Sequence, residues 1–194
     1  MSTQTVETYD IAILVDNLSG VLSRVAGMFT RRGFNIHSLT VSPTEHPELS
    51  RITVSGEGSE AERRRILKQL RKLYNVKEVK LMKRDKSIKR ELALIKLRNN
   101  QETRPEIMSA VDIFRCRIVD FSPNTLCVEI TGESSKIDAF LTIVRPYGVL
   151  EICRTGIVAL DRGCRYLNPD VATIAPQETE EKVAAAGEIP SIVL

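Results

Sequence analysis

The residues Asp16-Asn17-Leu18-Ser19-Gly20-Val21-Leu22 combine the groups needed to hold a small zwitterion. They follow the apolar run Ile11-Ala12-Ile13-Leu14-Val15 and precede Val21, Leu22, Val25, Ala26 and Phe29 at helical spacing. The stretch therefore joins a strand to the start of a helix. A helix start presents unpaired amides and the positive end of the macrodipole, and both stabilise a carboxylate. Gly20 lacks a side chain, so a ligand can approach the backbone. Asn17 offers both a donor and an acceptor. The loop can hold an amino acid with its carboxylate on the Gly20–Val21 amides and its ammonium on the Asn17 oxygen. The same residue types also suit a plain N-cap by Asn17 or Ser19.

Other chemistry is excluded by spacing or charge. Gly56-Glu57-Gly58-Ser59-Glu60-Ala61 matches G-x-G-x-x-A, but Glu60 and Glu62 put negative charge where a pyrophosphate would sit. His37 and His46 have no motif context, and Asn35-Ile36-His37-Ser38 reads as the edge of a second strand. Cys116, Cys127, Cys153 and Cys164 form no C-x-x-C pair, so zinc is not expected. They read as buried free thiols in a reducing cytoplasm. No nucleophile elbow, P-loop or HExxH appears, so no catalytic residue is expected. The first residues lack the order of a signal peptide, and no apolar run approaches the roughly 18 residues of a membrane span.

The 194 residues carry a net charge of +3, spread unevenly. Residues 62–98 hold 15 basic and 4 acidic side chains. Ferredoxin-like sheets that bind RNA stack bases on aromatics of their central strands. Here those strands, Tyr9 to Val15 and Arg51 to Ser55, offer Tyr9 alone. The block alternates with apolar positions, as a solvated helix and strand should, so nucleic acid is not an expected partner.

Around the loop the elements repeat. The first strand and helix end at Gly33, a C′ stop after Arg31-Arg32. Asn35 to Val41 and Arg51 to Ser55 form a hairpin across a polar loop. Ser59 and Glu62 make a capping box for a helix striped by Ile66, Leu67, Leu70 and Leu73, and Val76 to Met82 is a strand. The order β-α-β-β-α-β is the split βαβ arrangement. It recurs after a charged linker. Leu92 to Leu97 is a strand, Thr103 and Glu106 form a second capping box, and Cys116 to Phe121 and Leu126 to Thr131 form a hairpin. A helix from Gly132-Glu133-Ser134-Ser135 and one long strand, Val149 to Leu160, close the unit. The fold class is thus α+β, with two tandem ferredoxin-like βαββαβ units at residues 8–84 and 91–166, a linker at 85–90 and a flexible tail at 167–194. The second unit's equivalent loop, Arg98-Asn99-Asn100-Gln101-Glu102-Thr103, has no glycine, which confines any ligand loop to the first unit.

Residues 16–25, Arg32 to Val41 and Leu49 to Val54 resemble the small, regulatory subunit of acetolactate synthase (acetohydroxyacid synthase). Arg90 to Lys96, Ile113-Phe114-Arg115, Asp138 to Leu141 and Arg154-Thr155-Gly156 resemble its second domain. The resemblance implies that the first unit is an ACT domain that pairs side by side in a homodimer. It implies that valine binds at that interface, on Asn17, Gly20, Val21 and Leu22 of one chain and Asn35 and Ile36 of the other. It further implies a non-catalytic role beside a large catalytic subunit that holds thiamine diphosphate, Mg²⁺ and FAD. That subunit condenses pyruvate with pyruvate or 2-oxobutyrate, in the cytoplasm. The chain would raise its activity and confer valine feedback inhibition in valine, leucine and isoleucine biosynthesis. The alternative is a stand-alone ACT module that binds an amino acid or nucleic acid without an enzyme partner.

Overall fold

The computed structural model describes residues 6–168. The first unit runs β1 (Glu7–Asp16), α1 (Val21–Arg31), β2 (Ser38–Pro43), β3 (Leu49–Gly58), α2 (Glu60–Leu70) and β4 (Val76–Leu81). Its sheet is antiparallel in the order β2-β3-β1-β4. The second unit runs β5 (Ser87–Arg98), α3 (Arg104–Ile113), β6 (Arg117–Phe121), β7 (Thr125–Gly132), α4 (Ser134–Val144) and β8 (Val149–Arg154), in the order β6-β7-β5-β8. Both are α+β units of ferredoxin-like topology. Each buries one sheet face under its two helices. Ile11, Ile13, Val25, Phe29, Ile66 and Leu70 form the first core, and Ile95, Leu97, Ile107, Phe140 and Val144 belong to the second.

Several elements form for the local reasons legible in the chain. The Ser59 hydroxyl accepts from the Glu62 amide at 3.3 Å, and the Ser59 amide donates to the Glu62 carboxylate at 2.7 Å. That capping box forms as its spacing predicts. The second box does not form. Thr103 already has helical geometry and makes no cap bond, because the turn starts earlier, with the Arg104 amide on Asn100 O at 3.0 Å.

Two other expectations are corrected. Residues 85–90, read as a linker, hold a short 3₁₀ turn at Arg84–Lys86 and then the first residues of β5. The long closing strand Val149 to Leu160 is broken after Arg154. Gly156 turns the chain with φ +81°, and a ninth strand, β9 (Val158–Asp161), pairs with the first residues of β5 rather than continuing β8.

This break has a large consequence for the first unit. The strap from Thr155 to Leu167 crosses the outer face of the first sheet. Ala159 and Leu167 bury Ala12, Leu14 and Met82 there. Arg51 donates to Ala159 O at 2.5 Å, Lys80 pairs with Asp161, and the Thr40 hydroxyl donates to Thr155 O at 3.0 Å. β1 is thus covered on both faces, which is why Ile11 to Val15 is a continuous apolar run. Each fully buried Ile or Leu contributes on the order of 2 kcal/mol. Among the described residues the outer face of the second sheet has no such cover. Cys153 lies on it opposite Leu94 and is exposed, as is Cys164, while Cys116 and Cys127 are half-buried. The thiols are free but not buried as the apolar context suggested.

The expected tail falls almost wholly outside the described residues, although Leu167 and Asn168 are buried. Among the described residues no helix is long and apolar enough to cross a membrane.

In the second unit Glu91 on β5 binds Arg154 on β8 through two bonds of 2.7 Å and accepts from the Ser134 hydroxyl at 2.8 Å. Arg154, more than Ser134, holds the Glu91 carboxyl below the usual carboxylate range, against the opposing effect of burial. A carboxylate with a lowered folded pKa stabilises the fold fully above its unfolded value of about 4.3, and that contribution is lost as pH falls through the folded value. Glu91→Gln is expected to lower stability at neutral pH by about 2 kcal/mol and to flatten the acid limb below pH ~4.3. Urea unfolding measured from pH 7 to pH 3 reads both effects.

Candidate ligand-binding loop

The loop after β1 is built on backbone bonds to two distant turns. The Asp16 amide donates to Asn75 O at 2.9 Å, and the Asn17 amide to Glu48 O at 2.7 Å. The Asn17 side chain donates through Nδ2 to Pro47 O at 2.8 Å. A carbonyl partner requires the nitrogen there, so Oδ1 is left free to accept. Leu18 turns back onto Asp16 O, and Gly20 closes the turn with φ +80°. That left-handed backbone is why glycine stands there, since a Cβ at Gly20 would meet nothing within 4 Å.

Gly20 is the N-cap of α1, and no side chain caps the helix. The plain-cap reading of Asn17 and Ser19 is therefore not what forms. The Val21 amide donates to Leu18 O at 3.3 Å and the Arg24 amide to Gly20 O at 3.1 Å. Among the described residues the Leu22 and Ser23 amides find no acceptor, and no acidic residue sits in the first turn to neutralise the helix dipole. An acceptor oxygen thus stands beside unpaired donors, with Leu18 and Leu22 exposed next to them at 65% and 42%.

The six expected site residues are divided by the structure. Asn17, Gly20 and Leu22 share the exposed loop. Val21 sits with them, but its side chain is buried in the core. Asn35 and Ile36 lie at the other end of the sheet. His37 beside them bonds Ser55, and Ser55 pairs with Asp10. Asp10 to Asp16 spans about 20 Å of strand, so one chain does not bring the two groups together. A cleft of about 890 Å³ between the units, lined by Arg63, Lys89 and Glu133 among others, shares no residue with the loop.

Three residues that hold the loop carry no motif in the sequence. Lys77 pairs with Asp16 at 2.8 Å, Asn75 Nδ2 donates to Asp16 at 3.1 Å, and Arg24 donates to Asn75 Oδ1 at 2.8 Å. The Lys77 bond, followed by that of Asn75, holds the Asp16 carboxyl below its ordinary value. These partners lie 51 to 61 residues apart along the chain and meet only on folding.

The second unit repeats the loop with one change. The Asn99 amide donates to Asn124 O at 2.9 Å and its Nδ2 to Ser122 O at 2.6 Å, matching Asn17. Its Oδ1, however, accepts from Arg104 Nε at 2.8 Å, and Asn99 is only 3% exposed. A cation of the chain itself fills the acceptor that Asn17 leaves open.

Comparison with known proteins gives a consistent result. Residues 11–78 match the family described as AHAS small subunit-like ACT domain, and residues 90–163 the family described as small subunit of acetolactate synthase. A probable acetolactate synthase small subunit from Methanothermobacter thermautotrophicus is 46% identical over 162 residues, covering 83% of this chain and 96% of that protein. The isozyme 3 small subunit of Escherichia coli is 41% identical, covering 81% and 97%. The crystal structure of the acetolactate synthase small subunit from Thermotoga maritima superposes with a TM-score of 0.76 at 41% identity, covering 81% of this chain and 98% of that one.

The filled acceptor can be tested directly. Arg104→Ala leaves Asn99 Oδ1 buried without a donor and removes the guanidinium held 5.4 Å from the Phe121 ring centre. Chemical denaturation is expected to show a loss of about 2 kcal/mol, because an orphaned buried acceptor bears its full desolvation cost. An Arg104→Lys chain is expected to recover only part of it.

Proposed function

Since the chain belongs to the family of acetolactate synthase small subunits, we propose that it regulates a separate catalytic subunit and that its first loop receives valine as feedback effector. The observation that carries this reading is the open Asn17 Oδ1 beside the unpaired Leu22 and Ser23 amides, set against the Arg104-filled copy in the second unit. An α-amino acid meets both needs at once. Its ammonium replaces the role that Arg104 Nε plays for Asn99, and its carboxylate takes the amides at the positive end of α1. Gly20 keeps the approach clear, and Leu18 and Leu22 offer apolar surface to a branched side chain.

The remaining residues, Asn35 and Ile36, come from a second copy in this reading. β2 pairs only with β3, so its other edge is unpaired among the described residues. An open edge is a template for another strand. Two β2 edges related by a twofold axis run antiparallel, which sets the start of one beside the end of the other. Asn35 and Ile36 precede the start of β2. The turn at Pro47 and Glu48, which carries Asn17, follows its end. The pairing therefore brings each chain's Asn35 and Ile36 toward its partner's loop, and the site is completed by dimerisation.

The chain is then a non-catalytic regulator. The catalytic subunit holds the thiamine diphosphate, Mg²⁺ and FAD, and the complex works in the cytoplasm, where exposed free thiols stay reduced. Valine shifts a two-state arrangement of the dimer with a coupling of about 1–3 kcal/mol.

Gly20→Asp tests the reading. Aspartate is among the few residues that enter the left-handed region, and there is open space for its side chain. Its carboxylate would occupy the amides that the effector needs. Acetolactate formation by the reconstituted complex, expressed relative to its own valine-free rate, is expected to become insensitive to valine. A variant inhibited like the parent overturns the proposal.

A further inference from the structure

We infer that Asn75 is a positioning residue for the effector, clamping both ends of the loop that receives it; this rests on the reading above. Asn75 lies in the turn between α2 and β4 and is 7% exposed. All its polar groups but the backbone amide face the loop. Its carbonyl takes the Asp16 amide at 2.9 Å, its Nδ2 holds the Asp16 carboxylate at 3.1 Å, and its Oδ1 takes Arg24 at 2.8 Å. Asp16 is the last residue of β1, and Arg24 lies in the first turns of α1. One side chain therefore sets the distance between the end of the strand, where Asn17 presents its oxygen, and the start of the helix, where the amides are free.

The second unit separates what the fold needs from what the loop needs. Val76 pairs with Val15, and Val149 with Leu97, so Gly148 stands where Asn75 does. The Arg98 amide donates to Gly148 O at 2.9 Å, reproducing the Asp16 bond to Asn75 O. Both ladders shift register at this same place. The backbone bond is thus sufficient to end the strand in a ferredoxin-like unit. The side-chain bonds to Asp16 and Arg24 have no counterpart at Gly148, in the unit whose acceptor oxygen is already filled. They occur where the loop carries Gly20 and an open Asn17 oxygen. The clamp accordingly serves the geometry of an intermolecular site, in which the donor is not tethered as Arg104 is and the two halves must be held apart in advance.

The experiment uses the full chain and three forms: parent, Asn75→Ala, and the exchange Asn75→Asp with Asp16→Asn. The exchange lets Asn at position 16 donate to Asp at position 75, which still accepts from Arg24. Two quantities are read: the valine Kd by calorimetry and hydrogen exchange of the 16–24 amides without valine. Asn75→Ala is expected to raise the valine Kd about tenfold or more and to speed exchange across residues 16–24, while the second unit's amides keep their protection. The exchange pair keeps the bonds of position 75 to position 16 and to Arg24 but gives up the Lys77 ion pair with Asp16, so it is expected to recover at least half of both losses. A residue needed only for stability would speed exchange throughout the first unit and would leave the Kd of the folded fraction unchanged, and that result overturns the inference. Unaltered exchange at 16–24 in Asn75→Ala overturns it as well. Absence of valine binding by the parent instead refutes the effector reading, and the positioning claim with it, whatever the exchange data show.

Discussion

The burial of β1 on both faces is the constraint from which the other arrangements follow. A ferredoxin-like sheet has one face for its helices, and its other face must meet water or a cover. Here the cover is the chain's own strap, which leaves β8 at Gly156, adds β9 to β5 and lays Ala159 and Leu167 on Ala12 and Leu14. A strand held from both sides ends at a fixed place and angle. The turn that follows it can then stay short, exposed and uncapped without losing its position. The strap also closes the surface on which an RNA-binding sheet of this topology would stack bases.

The two units show how one scaffold carries an open loop and a closed one. Asn17 and Asn99 end equivalent strands and make the same two bonds to the facing turn. In the second unit Arg104 reaches back and satisfies the remaining oxygen, and the asparagine is buried. In the first, a left-handed glycine replaces that neighbourhood and leaves both acceptor and helix amides unpaired. Unpaired polar groups are tolerated here because they face solvent, and in the proposed function they are the groups that pair with the effector. The clamp through Asn75 supplies the rigidity that the tethered arginine gives its counterpart.

What could be read in the chain depended on the range of each interaction. The apolar run Ile11 to Val15, the Ser59–Glu62 box and the repeated element order are local signals, and all three take the form expected. The loop itself was legible because a strand end, glycine and asparagine adjoin in sequence. The failures share one cause. Thr103 and Glu106 have the spacing of a box, but the turn begins at Asn100. The stretch from Val149 to Leu160 reads as continuous strand, but its second half finds a better partner in the start of β5. Asn75 and Lys77 carry no motif, because their partners lie on β1 and α1. In each case a tertiary contact decided between local options.

The same logic accounts for the charge. The basic excess of residues 62–98 looks on paper like a surface for a polyanion. In the fold, Arg63 pairs with Glu7, Lys77 with Asp16, Lys80 with Asp161 and Lys89 with Asp10. Three of these acids lie on β1 and one on the strap. Part of the block is therefore the complement of carboxylates placed elsewhere in the chain. In each of these pairs except that of Glu7 the acid is largely shielded from solvent, so salt screens the pair less than it screens a free surface pair. The pairs also set registration, because three of them tie α2, β4 and β5 to the strand that ends at the loop and the fourth ties β4 to the strap. A loop with little formal charge is thus held in place in part by the charged segment of the chain.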